Sequence, residues 1–183
     1  KLFLQELLEQ TEAPRERAAL LEKQLDDLHG VFFLQVMMAD YERRAHSLVE
    51  SGEGISADRL TALWKATVKD YFGDTLPEDD PYFHSWARIP HLYLSPYYVY
   101  QYATCYASAA MIFERMQNAS GEARQEVVEQ YLDLLRSGGS DYPMNQLREA
   151  GVDLSRPTAV ELVVEEFREL LKRLKAEIRR INE

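Results

Sequence analysis

The chain has 183 residues, enough for one sizeable hydrophobic core, and its 21 lysines and arginines stand against 31 aspartates and glutamates for a formal charge of -10. That balance repels phosphate backbones and anionic lipid, which argues against nucleic acid and membrane surfaces as partners. A single cysteine, Cys105, excludes an internal disulfide and a cysteine-rich zinc site and argues against redox chemistry.

The chain opens Lys1-Leu2-Phe3-Leu4-Gln5, already in an apolar helical pattern and without a Met, as a piece cut from something longer would. Leu2, Phe3, Leu4, Leu7 and Leu8 share a broad face and predict a short helix over 2–10, interrupted before Pro14, a residue suited to a first helical turn. From residue 14 to about 50, Leu20, Leu21, Leu25, Leu28, Phe32, Val36, Ala39 and Tyr41 recur at helical spacing and predict the longest helix. Gly30 in its middle predicts a bend or a close approach by another backbone. Ser56 reads as the N-cap of a helix through Leu60, Leu63, Trp64, Val68 and Tyr71 that Gly73 ends. Pro77, Pro81, Pro90 and Pro96 predict a long loop over 74–96 without regular structure, and long ordered loops are often functional.

Helices are then predicted over 97–117, 122–136, 141–150 and 157–181, the last with Val160, Val163, Phe167, Leu170, Leu174, Ile178 and Ile181 on one stripe. No strand pattern, internal repeat or low-complexity tract appears. The expected class is all-α, with residues 1–183 forming a single helical unit. Apolar runs fall far short of the roughly 18 residues that a membrane span needs, and no signal segment is recognisable, so the expected location is cytoplasmic.

The chemistry-bearing residues concentrate in one place. Seven of the eleven tyrosines lie between residues 82 and 106, together with Phe83 and Trp86. With a helix from Tyr97 onward, Tyr97 and Tyr100 share one face, and Tyr98, Tyr102 and Tyr106 another. Any one of these tyrosines, taken alone, reads as a packing residue whose hydroxyl finds a neighbour. His91 follows Pro90, which biases Ile89 to extended geometry and holds the imidazole at the mouth of the helix. Beside tyrosine hydroxyls it could donate to a carbonyl that becomes an oxyanion. His84 near Asp79 and Asp80 shows no ligand spacing. Glu42 and His46, four apart, make one carboxylate–imidazole pair, where a di-iron bundle needs two Glu-x-x-His units and two more Glu, so a solvated pair is expected. No H-E-x-x-H, phosphate loop or G-x-S-x-G is present.

The stretch Trp86-Ala87-Arg88-Ile89-Pro90-His91-Leu92-Tyr93, continued as Tyr97-Tyr98-Val99-Tyr100-Gln101-Tyr102-Ala103-Thr104, resembles the C-terminal part of oligoendopeptidase F, of the thimet-oligopeptidase-like zinc metallopeptidases. Two further stretches agree in order: Leu7-Leu8 through Thr11 then Leu20-Leu21, and Met38-Ala39-Asp40-Tyr41-Glu42 with His46. Leu147 through Asp153 is similar as well, so the resemblance covers nearly the whole chain.

That resemblance implies a largely helical zincin-type fold around a deep channel. It also implies a zinc ion held by two histidines of an H-E-x-x-H helix and by a glutamate of the next helix, with the motif's own glutamate as general base. None of those residues is in this sequence, which on this reading starts just past the zinc site and holds no metal itself. His91 matches the family's loop histidine that contacts substrate, and Tyr97 and Tyr100 match helix tyrosines aimed at the substrate carbonyl. Tyr93 is a further substrate-binding candidate. Cys105 stands where the family commonly has glycine, a small-for-small change that hints at altered helix packing.

The expectation is therefore the C-terminal portion of a zinc endopeptidase that hydrolyses short oligopeptides, partnered by the upstream part of the same chain and inactive alone. Without that partner, exposed apolar faces would favour self-association. Two alternatives stand beside it: a zinc-free helical peptide-binding module, and a helical scaffold whose tyrosines only pack.

Overall fold

A computed structural model describes residues 2–182, and among them there are only helices, turns and connecting loops. No helix is long and apolar enough to cross a membrane among the described residues. Residue contacts divide the chain into two compact units, one of residues 2–29 with 104–182 and one of residues 30–103.

In the first unit, α1 (Leu2–Gln10) and α2 (Pro14–Leu28) are joined at Pro14, whose fixed φ and missing N–H suit a first helical turn. Arg17 makes this junction rigid. Its guanidinium donates to the carbonyls of Leu8 at 2.6 Å and Thr11 at 2.9 Å, satisfying acceptors that the end of α1 leaves open. Its Nε also meets the Glu177 carboxylate at 2.6 Å on α9 (Thr158–Asn182). α2 and α9 pack through the buried stripes Leu21, Leu25, Leu28 and Val163, Leu170. Burying each such side chain is worth about 2 kcal/mol.

Three further helices belong wholly or partly to this unit. α6 (Tyr100–Asn118) runs through Ala107, Ala110 and Ile112, all buried, and is followed by α7 (Gly121–Ser137) and α8 (Pro143–Glu149). Gln146 on α8 donates to the Gly138 carbonyl at 3.0 Å and closes the α7–α8 turn.

The predicted long helix is divided. Between α2 and α3 (Leu34–Glu50) lies a π-helical turn, His29–Phe33, and Gly30 sits inside it. A side chain on Gly30 would meet open space, so the predicted close approach by another backbone does not occur there. The Gln35 amide donates to the Gly30 carbonyl at 3.1 Å, within the wider turn.

The second unit is built on α3, α4 (Ala57–Phe72) and the segment that follows. Ser56 caps α4, its hydroxyl accepting from the Arg59 N–H at 3.3 Å, and Gly73 ends the helix at φ 64°. Met37, Met38, Tyr41, Trp64, Val68 and Val99 form the core, with Tyr41 and Trp64 edge to face at 5.0 Å.

The proline-rich stretch is more regular than its composition predicts. Pro81–Arg88 is a 3-10 helix and His91–Leu94 a one-turn α5. Pro81 takes the first helical position and the Asp80 carboxylate caps it, accepting from the Tyr82 N–H at 2.8 Å. Two indoles then anchor the segment to α4: Trp64 Nε1 donates to the Tyr82 carbonyl and Trp86 Nε1 to Thr61 Oγ1, both at 3.0 Å.

Candidate functional site

Every residue singled out for chemistry between 91 and 100 lies in the second unit, on the path from α5 through a tight turn into α6. Ile89 is extended, at φ -93° and ψ 96°, as the following proline dictates. Pro90 then caps α5 and His91 is its first residue.

The predicted start of α6 is three residues early. Tyr97 has φ 57°, the left-handed region, and the helix begins at Tyr100. That conformation costs a non-glycine residue about 1–2 kcal/mol and cannot continue a right-handed helix. Its backbone meets a buried carboxylate: the Tyr97 N–H donates to Glu42 Oε1 at 2.6 Å. Glu42 is only 3 % exposed, and the His46 ring, one turn further along α3, lies 4.8 Å from the Tyr97 ring. The expected solvated Glu42–His46 pair is thus corrected, since the carboxylate is buried and both side chains engage Tyr97. Position 42 follows Met38 by four and Tyr41 by one on the apolar side of α3, and that pattern was the available signal.

A second group forms around His91. Its imidazole stacks on Tyr98, centroids 5.5 Å apart and planes 8° from parallel. Tyr98 in turn meets Tyr102 edge to face at 5.4 Å, and the Tyr102 hydroxyl donates to that of Tyr98 at 3.4 Å. That hydrogen bond keeps the Tyr102 phenol protonated above its usual range. Tyr98 and Tyr102 therefore do meet, although Tyr98 precedes the helix. Tyr106, the third residue of the predicted stripe, belongs to the first unit, where burial and the carboxylates of Glu166 and Asp27 push its phenol pKa up.

Tyr93 packs 6.2 Å from Trp86 and donates to its carbonyl at 3.4 Å, and burial raises its pKa. Tyr97 and Tyr100 are each 49 % exposed. With Tyr97 in the turn and Tyr100 opening α6, these two do not share a helical face as predicted; they stand on either side of the helix start.

The arrangement is a surface rich in phenol hydroxyls, one imidazole and open aromatic rings. Such groups donate hydrogen bonds to carbonyl oxygens and pack against apolar side chains. No group of three or more His, Cys, Asp or Glu fit to hold an ion occurs among the described residues.

Comparison with known proteins places this surface in context. The sequence pattern of peptidase family M3 matches residues 2–165. The chain is 35% identical over 165 residues to oligopeptidase PepF of Bacillus subtilis, covering 90% of this chain and 24% of that protein. It is 34% identical over 175 residues to group B oligopeptidase PepB of Streptococcus agalactiae, covering 94% and 28%. The crystal structure of oligoendopeptidase-F from Enterococcus faecium superposes with a TM-score of 0.85 at 32% identity, over 96% of this chain and 33% of that one. The chain thus spans about a quarter of the length of these curated relatives. With most of its residues matched by one family pattern and its fold by a solved oligoendopeptidase, the chain belongs to peptidase family M3.

Proposed function

We propose that this chain is the substrate-facing C-terminal portion of a zinc-dependent endopeptidase that cleaves short oligopeptides in the cytoplasm. Residues 1–183 act as one portion of the larger catalytic domain. The zinc that the family resemblance implies does not fit the described residues, which bring no sufficient ligand group together. Its ligands belong to the upstream part of the same protein. In this reading His91, Tyr100 and Tyr97 donate hydrogen bonds to the carbonyl oxygen of the scissile bond, and Tyr93 with His91 holds the peptide backbone.

What supports the reading is that His91, Tyr97, Tyr98, Tyr100 and Tyr102 are all solvent-facing within one short segment of a peptidase-family fold. Aromatic side chains exposed in such number would otherwise be expected to bury themselves.

The test is cleavage of a defined oligopeptide mixture by the native gene product that carries this sequence, before and after chelation. Cleavage of short peptides that stops with chelator and returns with zinc is expected, with no cleavage by residues 1–183 alone. Failure to cut any peptide, or cutting indifferent to chelation, contradicts the reading.

A further inference from the structure

The geometry points to Glu42 as a positioning residue that sets the backbone of Tyr97 and thereby the aim of its phenol, an inference that rests on the substrate-facing role proposed for Tyr97. Glu42 is 3 % exposed, and a carboxylate so placed is costly unless a strong donor meets it. The neighbouring cations are engaged elsewhere: Arg43 pairs with Asp40, and Arg44 with Asp40 and Asp70. What Glu42 does meet is the Tyr97 N–H at 2.6 Å, a short, charge-assisted bond.

The bond spans 55 residues of sequence and ends on the one non-glycine residue with a positive φ among those described. A side-chain-bearing residue stays in that region only when its surroundings over-determine it. Here two groups on one face of α3, a turn apart, act on the same tyrosine. Glu42 fixes its amide and the His46 ring, 4.8 Å away, lies against its side chain, while the ring remains 49 % exposed. The result is a phenol held in place from beneath and open above. A peptide-binding tyrosine needs that combination, because a misaimed donor loses most of its effect.

The test compares E42Q with E42M, which have nearly the same shape and differ in retaining or losing an oxygen acceptor. Tyr97 amide exchange is followed by NMR in the 183-residue chain, and kcat and KM are followed on an oligopeptide in the native gene product. In E42M the Tyr97 amide is expected to exchange about tenfold to a hundredfold faster, as loss of a charge-assisted bond implies. The accompanying kcat should fall by about tenfold or more with KM nearly unchanged, and E42Q should recover most of both. Should E42M not fold, the wild type suffices: an unprotected Tyr97 amide overturns the proposal outright.

A Tyr97 amide that is protected equally in E42M also overturns it and leaves the peptidase reading untouched. If the amide loosens while kcat holds, Y97F separates the causes. A Y97F enzyme with reduced kcat overturns Glu42 as a positioning residue only. A Y97F enzyme at full rate removes the role given to Tyr97, and this proposal with it.

Discussion

The His91 imidazole lies flat on the Tyr98 ring, 5.5 Å between centroids and 8° from parallel, so the loop histidine is oriented by a residue from the turn that follows. Stacking restricts the imidazole to one plane while its ring nitrogens stay at the edge. Tyr98, in turn, is braced by Tyr102.

Replacing Tyr98 by Ala removes that support without touching His91. A stacked aromatic pair contributes about 0.5–1.5 kcal/mol, so kcat/KM on an oligopeptide should fall about threefold to tenfold in the native gene product. Tyr98→Phe keeps the ring and should stay close to wild type. Equal losses in both variants would assign the effect to the hydroxyl and not to the stack.

Arg17 and Glu177 should carry an acid-dependent part of the stability. The hydrogen bond from Arg17 is the largest reason the Glu177 carboxyl is held below its ordinary range. A depressed folded pKa contributes stability that is present above the unfolded value, about 4.3, and lost as pH falls through the lower folded value. Arg17→Met should therefore cost about 2–3 kcal/mol near neutrality and less in acid. Melting curves from neutral pH to pH ~3 check this, because wild-type Tm should approach that of the variant as Glu177 protonates. Parallel Tm curves would show that the pair does not supply the acid dependence.

Gly151 should be the least replaceable glycine in the first unit. Its φ is 77°, and an added Cβ would overlap the Arg115 guanidinium, which is itself held by the Ala150 carbonyl and by Gln130 Oε1. Gly151→Ala combines backbone strain with a displaced, hydrogen-bonded arginine, for a loss of about 2–3 kcal/mol. Gly121 also has a positive φ but open space around it, so Gly121→Ala should cost only about 1 kcal/mol. Chemical denaturation of the two variants gives the comparison, and a smaller loss at Gly151 than at Gly121 would refute it.

The parts of the fold that depend on neighbours in sequence were legible. The Ser56 cap, the Gly73 stop and the apolar stripe of the last helix are all local patterns, and the helices lie where those patterns place them. One local signal misled, and one helix start was set from a distance. Prolines read as breakers over 74–96, yet Pro81 begins a 3-10 helix, because a proline at a first helical turn costs nothing. The Tyr97 register was missed for a different reason: its left-handed turn is imposed by Glu42, 55 residues away, and no local propensity encodes that bond. The same distance hid the purpose of Glu42, which looked like a surface acid. In the candidate site, the ring cluster was visible as composition and the family resemblance supplied candidate roles. Which rings touch, His91 with Tyr98 and His46 with Tyr97, follows from chain closure alone.

The central claim is that His91 and Tyr100 act on the carbonyl as it gains negative charge, and steady-state kinetics of His91→Ala and Tyr100→Phe in the native gene product test it most directly. A preorganised donor of this kind is worth about a hundredfold to a thousandfold in rate, so kcat should fall by that order while KM shifts by no more than about threefold. Both variants turning over at the wild-type rate, or losing only substrate affinity, would contradict the account.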